Sequence, residues 1–74
     1  MGKHTTKFME RLNTSMQLSG KTQAQISSEL NVRHQKLSKW KLGYHEPCLH
    51  DLVMLADYFE VTTDYLLGRT NDYN

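Results

Sequence analysis

The sequence predicts an all-α fold of five short helices, and three observations carry that prediction. Apolar residues recur three and four apart along most of the chain, as a buried helical stripe requires. Residues suited to helix starts, above all Thr22 and Thr62, stand just before these runs, while Gly20, Asn31, Gly43 and Gly68 stand just after them. The chain has 74 residues, so the helices share one core near the lower size limit for a self-sufficient domain. The expected organisation is a single domain over 1–74 with an ordered core at about 5–69.

The first helix runs to about Leu18, with Thr5 or Thr6 as its cap and Phe8, Leu12 and Met16 on one stripe. Ser19-Gly20 ends it. The second helix spans roughly 22–30: Thr22 and Gln25 form a capping box, and Ile26 and Leu30 face inward. Asn31 tolerates the left-handed turn that follows, and Val32 plugs the corner. The third helix spans roughly 33–41, with Leu37 and Trp40 inward and Gly43 closing it. Pro47 forces Glu46 out of helical geometry, which makes 43–47 a surface loop. The fourth helix runs from near Cys48 to Phe59, with Leu49, Leu52, Leu55, Ala56 and Phe59 as its inner stripe. Thr62 caps a short fifth helix, and residues 70–74 are expected to fray.

Several classes of function are excluded or disfavoured. There is no run of eighteen apolar residues and no secretory signal at the start, so the expectation is a cytoplasmic, nucleoid-associated protein with no membrane partner. Cys48 is the only cysteine, and no internal disulfide can form. No nucleophile elbow, glycine-rich phosphate loop or HExxH stretch is present, so no enzyme is expected and no cofactor is required. Net charge is only +1, but its distribution is uneven. Residues 1–45 carry eight Lys/Arg against Glu10 and Glu29, whereas residues 46–74 carry Arg69 against six carboxylates. Such polarity orients a molecule towards a polyanion.

The cationic residues are concentrated on one helix. Around Leu37 and Trp40 the third helix sets Arg33, His34, Gln35, Lys36, Lys39 and Lys41. An apolar back with a polar, cationic front suits a helix that rests on a small core and enters a DNA groove. The residues Thr22-Gln23, Ile26, Leu30, Val32, Leu37-Ser38-Lys39-Trp40, Gly43 and Glu46-Pro47, then the run LADYFEVTTDYLLG, resemble the Cro/lambda-repressor-like helix-turn-helix family (XRE-type) of phage and bacterial regulators. The likeness extends from about Phe8 to Arg69.

The resemblance implies a compact lambda-repressor-like domain with the helix-turn-helix at helices two and three. It also implies a double-stranded DNA operator as partner and a homodimer at least on DNA. By position, Arg33, His34, Gln35, Lys36 and Lys39 read bases, Gln suiting adenine and Lys suiting guanine. Lys21, Thr22, Gln23, Lys41, Tyr44 and His45 fall on the DNA backbone. Val53, Met54, Tyr58, Tyr65 and Leu66 are candidates for a dimer patch.

Three departures from the family pattern stand out. Arg33 replaces the usual Ser or Thr cap of the third helix. Met16 and Lys41 replace an Arg–Glu pair, leading to the expectation that the Lys41 stem packs on Met16 while its ammonium reaches a phosphate. Cys48 replaces a Ser, with His45 and His50 nearby, yet the spacing supports no structural metal site. Two other functions use the same fold: the antitoxin of a toxin–antitoxin pair, and a protein-interaction module such as an antirepressor.

Overall fold

The first helix, α1 (Lys3–Ser19), is the longest of the described helices. The computed structural model describes residues 3–73, and among them every regular element is helical. The others are α2 (Gln23–Leu30), α3 (His34–Leu42), α4 (Leu49–Phe59) and α5 (Thr63–Leu66). α1 packs against α3, α4 and α5, while α2 bridges α3 and α4. Phe8, Leu12 and Met16 project from α1 into a core that includes Ile26, Leu30, Leu37, Trp40, Leu55, Ala56, Tyr65 and Leu66. Each large apolar side chain buried this way contributes about 1.5–3 kcal/mol.

The local signals account for the helix ends. Thr22 accepts from the Gln25 amide while the Gln25 side chain accepts from the Thr22 amide, a complete capping box. Asn31 is left-handed at φ 57° and returns its N–H to Ser27 and Ser28, which closes α2. Gly43, at φ 81°, closes α3 in the same way. Thr62 caps α5 through the Tyr65 amide. Glu60 is also left-handed (φ 58°) and ends α4, a position where the sequence gives no glycine or asparagine to announce the turn.

Four expectations need correction. Thr5 is not a cap but lies inside α1, buried, with its hydroxyl donating to the Glu46 carboxylate. Leu49 is not on the inner stripe of α4: it is 83% exposed, whereas Asp51, two residues on and so on the opposite side of the helix, is buried. Tyr65 and Leu66 offer no surface for a dimer, being 4% and 0% exposed within the core. The tail is tied down rather than frayed through Tyr73 (Asn74 lies outside the described residues). The Tyr73 carbonyl accepts from the Thr62 amide at 2.8 Å, and the rings of Tyr65 and Tyr73 meet at 4.9 Å. Arg11 donates to the Thr70 carbonyl and the Asn71 side chain while stacking over Tyr65 at 4.3 Å.

Candidate nucleic-acid interface

The exposed face of α3 is built from its buried one. Trp40 is 1% exposed and Leu37 is fully buried, and these two anchors fix the rotation of the helix. Arg33, His34, Gln35, Lys36 and Lys39 are consequently all exposed. Arg33 holds the N-cap position without any side-chain cap bond, so the first amides of α3 lack the usual hydroxyl partner. Beyond Gly43 the amides of Tyr44 and His45 return to the Lys39 carbonyl at 2.9 and 3.4 Å. That closure leaves both side chains exposed beside the end of α3.

The cations are not equivalent. Lys36 bonds Asp51 at 3.0 Å and lies over the Trp40 ring at 5.5 Å, which leans it towards α4. Burial pushes the Asp51 carboxyl up, but bonds from Lys36, Cys48 and His50 outweigh it and hold the group below its ordinary value. Lys21 bonds Glu29 at 2.7 Å and the Tyr58 hydroxyl at 3.3 Å. Those bonds, the Glu29 one foremost, raise the Lys21 pKa, while the bonds from Lys21 and Tyr58 lower that of Glu29. Lys21 is thus turned along α2 towards α4. Among the described residues Arg33 and Lys39 make no ion pair.

Gln23, the first residue of α2, does not hang free. Its amide donates to the Ser38 hydroxyl at 2.6 Å and lies 3.4 Å from the His34 carbonyl. Its carbonyl oxygen accepts from the Lys41 ammonium at 3.1 Å. This corrects the expectation for Lys41: Met16 and Lys41 do line one recess, together with Asn13, Gln17, Lys21 and Gln23, but the ammonium is committed to Gln23. Asn13 anchors the same corner from α1, donating to the carbonyls of Met9 and Lys41. Sequence reasoning missed both Ser38 and Asn13. The signal for Ser38 was its spacing, since His34, Ser38 and Lys41 fall at i, i+4 and i+7 on one helix face.

On the far side, Val53 is exposed, and Met54 and Tyr58 are half-buried. With Leu49, a residue not expected outside, they line a groove between α4 and the end of α2. His45, Cys48 and His50 do not form a metal-holding cluster among the described residues. No described helix is long and apolar enough to cross a membrane.

Comparison with known proteins agrees with this geometry. The family described as Helix-turn-helix matches residues 10–66. The chain is 35% identical over 60 residues to the HTH-type transcriptional regulator ImmR of Bacillus subtilis, covering 81% of this chain and 47% of ImmR. It is 35% identical over 63 residues to the cryptic phage CTXphi transcriptional repressor RstR of Vibrio cholerae serotype O1, covering 85% and 56%. A third relative is the SPbeta prophage-derived uncharacterized HTH-type transcriptional regulator YonR of Bacillus subtilis, 33% identical over 64 residues, covering 86% and 59%. The chain thus spans about half the length of these relatives. No solved structure matches. With α2 and α3 in the expected arrangement and the match extending through α5, the chain belongs to the Cro/lambda-repressor-like helix-turn-helix family.

Proposed function

We propose that this domain binds double-stranded DNA in a sequence-specific manner as a transcriptional regulator of the phage or prophage type. The observation that carries the reading is the two-sided character of α3: Leu37 and Trp40 are buried behind an exposed row of Arg33, His34, Gln35 and Lys39. Seated in a major groove, Gln35 offers a bidentate amide to adenine, and Lys39 offers donors to guanine O6 and N7. Tyr44 and His45 flank that row beyond the C-terminal end of α3, where a phosphate chain would run. The relatives' names, all transcriptional regulators or a repressor and two of them from phage or prophage, support the regulatory part of this reading. Repression by occluding a promoter is the step that the family resemblance implies.

The operator in this reading is an inverted repeat bound by two copies, with half-sites about 34–36 Å apart. Leu49 and Val53, both exposed, form the apolar face from which the pairing is expected, joined by the half-buried Met54 and Tyr58. Selection of duplexes from a random pool, followed by mass measurement of the complex, tests the proposal. Enrichment of a palindrome bound by two chains is the expected result. Failure to enrich any sequence, or equal competition by single strands, would refute it.

A further inference from the structure

Lys41 carries a function that neither the family resemblance nor the relatives assign. An ammonium has three donors and no acceptor, so the amide atom of Gln23 that faces Lys41 must be the oxygen. That fixes the amide the other way round at its far end, where Nε2 donates to Ser38 Oγ at 2.6 Å. With its lone pair engaged, the Ser38 hydroxyl keeps its own O–H as a donor. The second N–H of Gln23 has only the long 3.4 Å approach to the His34 carbonyl. The bonds therefore run one way, from Lys41 through Gln23 to Ser38, and the donors left for a ligand are the Ser38 O–H and the Gln23 N–H held only by the long bond to the His34 carbonyl.

We propose that Lys41 is a positioning residue that sets the polarity of the Gln23 amide, so that Gln23 and Ser38 together present N–H and O–H donors to one DNA phosphate. A non-bridging phosphate oxygen only accepts hydrogen bonds, so the opposite amide orientation would set carbonyl oxygen against anion. Asn13 supports the arrangement by donating to the Lys41 backbone carbonyl at 3.1 Å, which ties the last turn of α3 to α1. The inference rests on the DNA-binding reading above but makes a separate claim. As a direct phosphate ligand, Lys41 would act independently of Gln23; as a positioning residue, it acts through it.

The test is a double-mutant cycle with Lys41→Met and Gln23→Ala, measured on a duplex selected from a random pool with the wild-type protein. Lys41→Met should weaken binding about tenfold in the wild-type background and less than about threefold beside Gln23→Ala. Its effect on the salt slope should stay well below the value of about 0.9 that a lost Lys–phosphate contact gives. Ser38→Ala should weaken binding in the wild type and add little to Lys41→Met. In the free protein, the Gln23 side-chain NH2 should be resolved by NMR from exposed glutamine amides, and Lys41→Met should merge it with them while Lys41→Arg preserves it. Equal losses in both backgrounds, a full slope change, or an unmoved Gln23 signal would overturn the proposal. If the wild type selects no duplex, the DNA-binding reading itself falls, a different outcome from a wild type that binds and a cycle that shows no coupling.

Discussion

Replacing Asp51 with Asn should loosen the attachment of α3 to α4, and the size of the effect follows from the geometry. Asp51 is 8% exposed and meets Lys36 at 3.0 Å, but the Lys36 side chain is itself 50% exposed. A pair so placed lies between a screened surface bridge, worth below about 1 kcal/mol, and a buried one whose breaking costs about 3–5 kcal/mol. We expect a loss of about 1.5 kcal/mol, moderated because Asn keeps the shape and one acceptor. Unfolding entropy of about 2.1 cal/mol/K per residue turns this into a fall in Tm of about 10 °C for a chain of this size. The folded carboxyl lies below its ordinary value of 3.8, so its contribution is present at neutral pH and lost as pH falls through the folded value. Thermal melts followed by circular dichroism should therefore show a constant gap between wild type and Asp51→Asn from pH 7 to pH 5, closing only below about pH 4. A gap under about 2 °C at pH 7, or one that persists unchanged in strong acid, would show that the pair does not contribute in this way.

Other expected outcomes are as follows. Thr22→Ala removes the acceptor for the Gln25 amide and should cost about 1 kcal/mol, read as a Tm loss of about 6 °C. Gly68→Ala should destabilise more than Gly20→Ala in urea melts. Both positions have positive φ, but a methyl at Gly68 would sit 2.6 Å from Lys7 Cβ, whereas Gly20 has open space. Truncation after Arg69 should cost about 2 kcal/mol, because it removes the Arg11 acceptors, the bond from Thr62 and the ring contact with Tyr65. In salt titrations of DNA binding, Lys39→Ala should lower the slope by about 0.9 and Lys36→Ala, already paired with Asp51, by clearly less.

What could be read from the sequence was local. The capping box at Thr22, the left-handed turn at Asn31, the closing Gly43 and the inward pair Leu37–Trp40 each depend on residues within one or two turns, and the structure places them as expected. What escaped depends on contacts between distant segments. Arg11 meets Thr70 and Asn71 across 59 and 60 residues, and so holds a tail whose composition reads as loose. Asp51 lies in the first turn of α4, where an acid suits the helix dipole whether or not it is buried. Its burial is accompanied by a bond from Lys36 on another helix, and Leu49, two residues earlier and so on the opposite side of α4, is exposed. Tyr65 and Leu66 gave no pattern over a four-residue helix from which to tell core from surface. The Gln23–Ser38–Lys41 chain likewise needs α2 and α3 to be packed before its three members meet.

The same long-range contacts revise the charge argument. Counted along the chain, the first 45 residues hold eight cations and two carboxylates, which implies a strong, diffuse positive field. Folding brings carboxylates to three of them: Glu29 to Lys21, Asp51 to Lys36 and Glu10 to Lys7. Arg33 and Lys39, on the outward face of α3, keep none among the described residues. Sequence-independent binding scales with the number of phosphates neutralised, so a surface with few unpaired cations binds arbitrary DNA weakly. In the proposed function, discrimination between operator and bulk DNA would then rest on the base edges offered to Gln35 and Lys39. Internal pairing of cations would thus shift the balance of the proposed interface from general attraction towards selectivity, the property that the proposed regulator requires.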